Sequence, residues 1–242
     1  MSTTRAVIRG CGHYLPERVV PNSEFAATLD TSDEWIVSRS GIERRHFAAE
    51  GEFTSDLAIH AARRALDASG LKPDQIDAVI VATSTPDYTF PAVATQVQAA
   101  LGIRQGFAFD IQAVCAGFVF ALANANGLIL GGQAKRVIVI GAETFSRIMD
   151  WTDRGTCVLF GDGAGAVVLE AVDSAGTPQD RGVLGVDLQS DGQYRDLLYV
   201  DGGVSRSGTA GVLKMQGREV FRHAVEKLAE TANAALAKAG LT

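Results

Sequence analysis

The longest uncharged segment of the chain, from Ile111 to Gln133, is the feature that most restricts its fold. Within this segment, Ala116 to Leu130 has the length of a helix and no charged side chain. A helix without a polar face is stable inside a protein, where it packs on several sides. Two asparagines and several glycines interrupt the segment, so a strand end, a turn and a buried helix are favoured over a membrane span. A chain of 242 residues is long enough to build the core that such a helix needs.

Continuous apolar, β-branched runs on both sides of this segment are typical of buried strands. We predict strands over Ala78 to Ala82, in "GFAFDI" and over Arg136 to Ile140. We predict one helix in "SDLAIHAARRALDASG", with Ser55 as N-cap and Gly70 after its end. A second helix is predicted in "PAVATQVQAALG", with a proline in its first turn. Strands that alternate with helices indicate an α/β fold around a largely parallel sheet.

The glycine-rich segment "GDGAGA" (161–166) has the composition of a phosphate-binding loop. A dinucleotide loop needs a strand before it and a helix after it, but the strand-like "AVVLEAV" follows here. We therefore reject that interpretation. "TCVLFGD" and "GAVVLEAV" are interpreted as two strands, joined by a tight turn at Gly161-Asp162-Gly163.

A near-repeat suggests that the chain has two similar parts. "ALDASGL" (65–71) recurs as "ALAKAGL" (235–241), and both copies close a long amphipathic helix with a glycine. Helix capping produces similar ends by ordinary rules, so chance is the alternative to a true repeat. A true repeat predicts a two-halved α/β protein, in which 1–172 form one half and 173–242 begin a second, largely missing half.

The composition excludes several classes of protein. A net charge of −6 argues against general nucleic-acid binding. The N-terminal "MSTTRAVIRG" lacks an apolar core of signal-peptide length. Cys11, Cys115 and Cys157 are odd in number and far apart, which disfavours a disulfide framework or a metal site. These features predict a cytoplasmic protein with reduced thiols and no bound metal.

Cys115 lies at the predicted turn between the strand "GFAFDI" and the uncharged helix. Backbone N–H groups and the helix dipole stabilise an anion at a helix start, which favours a nucleophilic thiolate. A lone cysteine in an apolar run is also commonly inert packing. The segment by itself leaves both interpretations open.

Four long segments, in a consistent order, carry a resemblance to a known family. They are "TSDEWIVSRSGIERR" (31–45), "DIQAVCAGFVFAL" (110–122), "DRGTCVLFGDGAGAVVLE" (153–170) and "MQGREVFRHAV" (215–225). Each is similar to a segment of the β-ketoacyl-acyl carrier protein synthase III family, which belongs to the thiolase superfamily. The resemblance implies a thiolase-like α/β fold of two similar βαβαβαββ halves, the first complete and the second truncated. It also favours the nucleophile interpretation of Cys115.

The resemblance implies an acyltransferase that starts fatty-acid synthesis. Enzymes of this family condense an acyl-CoA primer, often acetyl-CoA, with malonyl-acyl carrier protein to give a 3-oxoacyl-acyl carrier protein. The primer's acyl group is carried on a cysteine, and Cys115 matches that residue. No cofactor is implied, because coenzyme A enters as the thioester substrate. The alternatives are a polyketide-starter enzyme, a hydroxymethylglutaryl-CoA synthase-like enzyme, or a truncated subunit without activity.

Trp35 and Arg39 are four residues apart, so they share a face if their segment is helical. An aromatic ring beside a guanidinium suits a nucleotide, by stacking and by phosphate pairing, although a surface tryptophan with solvated arginines is the plainer interpretation. The resemblance assigns Trp35 and Arg154 to the adenine of CoA and Arg39 to CoA binding nearby. It also matches Phe90 to a residue that closes the acyl pocket across a dimer interface, and Phe221 and Gly217 to the substrate site. Both phenylalanines are equally compatible with ordinary core positions.

Lys214, Arg218 and Arg222 cluster at the start of the last predicted helix. Cations at a helix N-terminus are disfavoured by the dipole, so another function is expected for them. A basic patch would steer an acidic acyl carrier protein to the site, although Glu219 and solvent satisfy such charges equally well. The family also implies a homodimer.

The histidines at 13, 46, 60 and 223 fall where the family has no catalytic histidine. The family's decarboxylating histidine and asparagine belong to its second half, beyond Thr242. We therefore expect the chain as given to lack both residues.

Overall fold

The computed structural model describes residues 3–241 as alternating strands and helices. The strands are β1 (Thr3–Tyr14), β2 (Arg18–Pro21), β3 (Arg44–Phe47), β4 (Ala78–Ala82), β5 (Phe107–Ile111), β6 (Arg136–Thr144), β7 (Asp162–Ser174), β8 (Leu198–Val200) and β9 (Leu213–Met215). The α-helices are α1 (Asn22–Ala26), α2 (Asp33–Ser40), α3 (Thr54–Ser69), α4 (Val93–Ala100), α5 (Gly117–Leu130) and α6 (Gly217–Ala239). The three strands predicted first, β4, β5 and β6, are confirmed, and β6 runs four residues further than predicted.

The central sheet of this part of the chain has the strand order β1-β7-β6-β4-β5. β4 pairs in parallel with β5 and β6, whereas β7 pairs antiparallel with β6 and β1. The sheet is therefore mixed: β1, β4, β5 and β6 run in one direction and β7 runs against them, so the expectation of a largely parallel sheet is confirmed for four of its five strands. A parallel neighbour needs a crossover, usually a helix. The chain between β6 and β7 contains no α-helix, so β7 returns antiparallel to β6.

Both faces of this sheet are covered, which explains the continuous apolar strands. Along β4, Val79 and Val81 pack under α3 and α4, while Ala78, Ile80 and Ala82 pack under α5. The alternation along β6 is the same. A smaller apolar cluster joins β2, β3, α2 and the hairpin of β8 and β9 beside the sheet.

α3 ends as predicted at Gly70, which has the left-handed φ of 71° that glycine adopts without strain. Its start differs from the prediction. Phe53, not Ser55, is the N-cap, and its backbone N–H donates to the Asp56 carboxylate at 2.8 Å. The side chain that closes the start of α3 is thus the acid Asp56 in its first turn, which accepts the N–H of the N-cap residue, and a search for a capping hydroxyl misses it.

α4 begins at Val93, two residues after the proline that was expected inside its first turn. Its cap comes from another element, because both oxygens of Asp110 on β5 accept the backbone N–H groups of Val93 and Ala94, at 2.7 and 2.8 Å. Burial raises the pKa of Asp110. This contact ties the loop before α4 to the strand that leads to Cys115.

The segment "TCVLFGD" is not a strand. Residues 151–160 form successive turns, and β7 begins at Asp162, inside the predicted tight turn. The Asp162 carboxylate accepts the backbone N–H groups of Ala48 and Ser146 and the Ser146 hydroxyl, at 2.6–2.8 Å. The acid therefore fixes the start of the strand, and the glycines of "GDGAGA" lie in extended backbone with no helix after them.

α5 follows Cys115 as predicted, but one stripe of the helix is buried rather than several sides. Gly117, Ala121, Ala125 and Ile129 face the sheet. Val119 and Leu130 lie on the open side and are about half exposed. No helix within residues 3–241 is long and apolar enough to cross a membrane.

The two copies of the near-repeat have the same local structure. α6 ends at Gly240 with a φ of 70°, matching the cap of α3 at Gly70. Each helix is also approached by a glycine, because a Cβ at Gly10 would lie 2.3 Å from Ala65 O and one at Gly185 would lie 2.5 Å from Ala235 O. The division at residue 172 stays a prediction, and it falls inside β7.

Candidate active site

A cavity of about 830 Å³ opens where the three neighbouring strands β4, β5 and β6 end. Cys115 follows β5, Thr85 follows β4, and Thr144 is the last residue of β6, and all three line it. The carboxyl ends of neighbouring parallel strands meet at one edge of a sheet, where open α/β sheets commonly bind ligands. The hairpin of β8 and β9 supplies part of the opposite apolar wall.

Cys115 lies in a 3₁₀ turn, Val114–Ala116, directly before α5. Cys115 is exposed, whereas Cys157 is fully buried. Val114 has a φ of 47°, in the left-handed region that a β-branched residue rarely adopts. Such strain is characteristic of functional sites, where the surrounding structure holds it in place. These features support the nucleophile interpretation over inert packing.

A polar network along the wall of the same cavity holds the loop after β4. Glu143 of β6 accepts the Ser84 N–H at 2.8 Å and the Thr85 hydroxyl at 2.6 Å. The hydroxyl of Thr54, at the start of α3, donates to Thr85 O at 2.6 Å and lies 2.9 Å from that of Thr144. Burial raises the pKa of Glu143, although the hydrogen bonds from Thr85 and Ser84 oppose this shift.

Trp35, Arg39 and Arg154 come together as predicted. The guanidinium carbons of Arg39 and Arg154 lie 4.5 and 5.1 Å from the centroid of the Trp35 ring. Ser32 fixes the start of α2 by accepting the Trp35 N–H at 3.0 Å. We call these three side chains the arginine–tryptophan stack.

The two arginines of the stack differ in their charge partners. Arg154 donates to the backbone oxygen of Asp30 and to its carboxylate, at 3.1 Å for the latter. The hydrogen bonds of Arg39 go to neutral oxygens of its own helix, Trp35 O and Ser38 Oγ. Among the described residues, the charge of Arg39 therefore has no acidic partner.

Three other predicted substrate residues lie away from the cavity wall in this structure. Phe90 is 83% exposed, and Phe221 on α6 is 72% exposed, so neither is a core residue. Gly217 is the first residue of α6. None of these three is among the residues that line the cavity beside Cys115 in the described part of the chain.

The three predicted docking cations have different partners. Lys214 Nζ lies 2.9 Å from Asp150, and Arg222 lies 2.6 Å from Glu219 one turn earlier. Hydrogen bonds from Thr152 and Lys214 hold the pKa of Asp150 to about 2. Arg218 is exposed and forms no ion pair within residues 3–241. It is therefore the cation of this cluster that is free to meet a partner.

No histidine lines the cavity within the described part of the chain. His60 stacks on Tyr14 with ring centroids 4.5 Å apart, and His223 lies 4.1 Å from Tyr194. His46 Nδ1 bonds the backbone oxygen of Pro16 at 2.5 Å. The absence of the family's histidine and asparagine from the chain stays a prediction.

Sequence reasoning missed the polar network of Thr54, Thr85, Glu143 and Thr144. The signal available was position, because Thr85 lies three residues after the end of β4 and Glu143 is the penultimate residue of the neighbouring strand β6. Carboxylates and hydroxyls at such strand ends converge.

The comparisons with known proteins decide the family. The sequence profile of 3-oxoacyl-[acyl-carrier-protein (ACP)] synthase III matches residues 109–192, which include Cys115. A β-ketoacyl-[acyl-carrier-protein] synthase III of Jannaschia sp. is 75% identical over 240 residues, covering 98% of this chain and 74% of the relative. The chain belongs to the β-ketoacyl-[acyl-carrier-protein] synthase III family. It is accordingly an acyltransferase with the thiolase-like fold, as the sequence motifs predicted.

Solved structures agree with this assignment. The 3-oxoacyl-(acyl carrier protein) synthase III of Pseudomonas aeruginosa is 43% identical, with a TM-score of 0.90 over 98% of this chain and 72% of that protein. The priming β-ketosynthase of the R1128 polyketide pathway is 34% identical, with a TM-score of 0.89 over 99% and 71%. About a quarter of the Jannaschia relative's length is unmatched, since 74% is covered. That share does not support the expectation that most of a second half is missing.

Proposed function

We propose that Cys115 accepts the acyl group of an acyl-CoA primer, most simply acetyl-CoA, for condensation with malonyl-acyl carrier protein. The observation that carries the proposal is the position of Cys115: exposed, on a strained turn before α5, and facing a cavity with apolar walls. The Cys115 thiolate attacks the thioester carbonyl, the bond from that carbonyl carbon to the sulfur of coenzyme A breaks, and the acyl group stays on the Cys115 sulfur. Coenzyme A leaves as a thiolate, which takes up a proton from solvent. Dividing the condensation into acyl transfer and carbon–carbon bond formation lowers each barrier.

We assign the nucleotide of coenzyme A to the arginine–tryptophan stack. An indole face flanked by guanidiniums suits an adenine ring, and the unpaired charge of Arg39 suits a phosphate.

Phe90 is assigned to closing the acyl pocket from across a homodimer interface, which its exposure permits. Phe221 and Gly217 are assigned to the substrate tunnel and Lys214, Arg218 and Arg222 to docking of the carrier protein. A cytoplasmic location suits three free thiols, and no cofactor is proposed.

The test is mass spectrometry of the intact chain after incubation with acetyl-CoA. We expect one acetyl group on the wild type and none on Cys115→Ser, while Cys11→Ser stays acetylated. Acetylation that persists in Cys115→Ser would refute the assignment. A panel of longer and branched acyl-CoAs separates a fatty-acid primer specificity from that of a polyketide-starter enzyme.

A further inference from the structure

Arg45 on β3 is a buried guanidinium without a carboxylate partner in residues 3–241. Only 6% of the residue is exposed, and burial lowers the pKa of its side chain. Arginine nevertheless stays protonated in proteins. Taking a charge out of water is costly unless hydrogen bonds or aromatic rings compensate for it. The contacts of Arg45 show what this buried charge holds together.

The guanidinium of Arg45 donates in two directions. Nη1 donates to Asn22 Oδ1 at 2.7 Å and to Val20 O at 3.2 Å. Nη2 donates to Val158 O at 2.6 Å. The ring of Phe25 lies 4.5 Å from the guanidinium carbon and covers one face. Arg45 therefore bridges the segment before α2 and the turns before β7.

In the first direction, the bridge reaches both ends of α2. Asn22 is buried, and its Nδ2 donates to Asp33 Oδ1 and to Ile42 O, both at 2.8 Å. Asp33 is the first residue of α2, and Ile42 follows the glycine that ends it. Because Arg45 occupies Oδ1, the amide of Asn22 is oriented with its two donors toward α2. That helix carries Trp35 and Arg39.

In the second direction, the bridge reaches the segment that carries Arg154. Val158 lies four residues after Arg154, in consecutive turns where Asp153 O accepts the N–H groups of Thr156 and Cys157 at 3.1 and 3.0 Å. Asp153 Oδ1 also accepts the Gly155 N–H at 2.9 Å. These hydrogen bonds hold the turns from Asp153 to Cys157 together. The bond from Arg45 to Val158 O therefore also fixes the position of Arg154.

We propose that Arg45 is a positioning residue that sets the distance between α2 and the Arg154 turn, and thereby the geometry of the nucleotide site. The inference rests on the proposed function of the arginine–tryptophan stack. Arg45 itself does not touch the stack. A lysine at this position keeps the charge, but its three N–H donors sit on one nitrogen, which cannot occupy the two separate positions from which Nη1 bonds Asn22 and Nη2 bonds Val158.

The experiment compares two acetyl donors, acetyl-CoA and the thioester of N-acetylcysteamine, which lacks the nucleotide. For Arg45→Lys, we expect the half-saturating acetyl-CoA concentration for acetylation of Cys115 to rise about tenfold. The rate with the short thioester should stay at the wild-type value. Asn22→Asp is the second variant, because it keeps an acceptor for Arg45 and removes both donors to α2. Arg44→Lys, exposed on the same strand, is the matched control and should behave as wild type.

Each outcome decides between named explanations. Equal losses with both donors, or loss of the folded state in both variants, would assign Arg45 a general structural role and overturn the proposal. Trp35→Ala is measured in parallel. If Trp35→Ala weakens acetyl-CoA use but the Arg45 and Asn22 variants leave it unchanged, the positioning role of Arg45 is wrong and the proposed nucleotide site stands. If Trp35→Ala has no effect, the proposed nucleotide site itself is wrong.

Discussion

The guanidinium carbon of Arg39 lies 4.5 Å above the Trp35 ring, one helical turn along α2. A spacing of four residues places two side chains on one face of a helix. In the proposed site, an adenine ring would stack on the Trp35 ring in place of one of the two guanidiniums, that of Arg39 or that of Arg154.

Replacing Trp35 by alanine should weaken coenzyme A binding. Stacking of a base on an aromatic side chain is worth about 1–3 kcal/mol, which corresponds to about 5- to 150-fold in the dissociation constant. Titration calorimetry with coenzyme A measures the change. Trp151→Phe is the control, since Trp151 packs on Phe25 and Phe47 rather than on the stack. Equal affinity in wild type and Trp35→Ala would remove Trp35 from the binding site.

The three cysteines should react with iodoacetamide at very different rates. Cys115 is exposed before a helix, whereas Cys157 is fully buried, and burial raises the pKa of its thiol. Since the thiolate is the reacting species, Cys157 should be alkylated slowest. Cys11 is exposed on β1 without a helix start, so its rate should be lower than that of Cys115. Peptide mass spectrometry over time measures the order, and a faster reaction at Cys11 would contradict it.

Relieving the strain at Val114 should stabilise the fold. A left-handed φ costs a residue with a Cβ about 1–2 kcal/mol, and asparagine tolerates it better than valine does. Val114→Asn should therefore raise the melting temperature by about 2–4 °C. Val114→Thr is the matched control, because threonine is also β-branched and should bring no gain. A lower melting temperature for the asparagine variant would show that the apolar contacts of Val114 outweigh its strain.

The sequence predicted the parts of the fold that depend on local pattern. The strands β4, β5 and β6, the glycine at the end of α3 and the turn at Cys115 all follow from apolar runs and capping residues. The segment before β7 was mispredicted because its apolar residues, such as Cys157 and Val158, enter the cluster beside the sheet from turns. The hydrogen bonds of Asp110 and Asp162 could not be predicted, because both carboxylates bond backbone N–H groups of elements distant in sequence, which no local pattern indicates.

The stability contributed by Glu143 should depend on pH. Its pKa in the folded state is raised above the ordinary value of 4.5, so folding favours the protonated form. The contribution is full below 4.5 and is lost as the pH rises through the raised folded value. The glutamine of Glu143→Gln cannot ionise, so the variant should lose no stability from this position as the pH rises over this range. The melting temperature of the variant relative to wild type should therefore increase as the pH rises from 4.5. Glu226→Gln, exposed on α6, should show no such trend, and a flat difference for Glu143→Gln would contradict the prediction.

Among the three cations proposed for docking, reversal of Arg218 should weaken carrier-protein binding most. Lys214 and Arg222 already lie 2.9 and 2.6 Å from carboxylates, whereas Arg218 has no carboxylate partner among residues 3–241. Arg218→Glu should raise the dissociation constant for malonyl-acyl carrier protein severalfold at low salt. The effect should shrink above about 0.1 M salt, where the Debye length falls to about 10 Å.

Lys227→Glu is the matched control for this measurement, since Lys227 lies further along α6 and pairs with Glu230 at 2.6 Å. It makes the same change in net charge at a different place on the helix. Fluorescence polarisation of a labelled carrier protein measures both variants. A specific docking contact requires that Arg218→Glu weaken binding more than Lys227→Glu does. Equal losses would reduce the effect to net charge, and no loss in either variant would leave Arg218 as an ordinary solvated arginine.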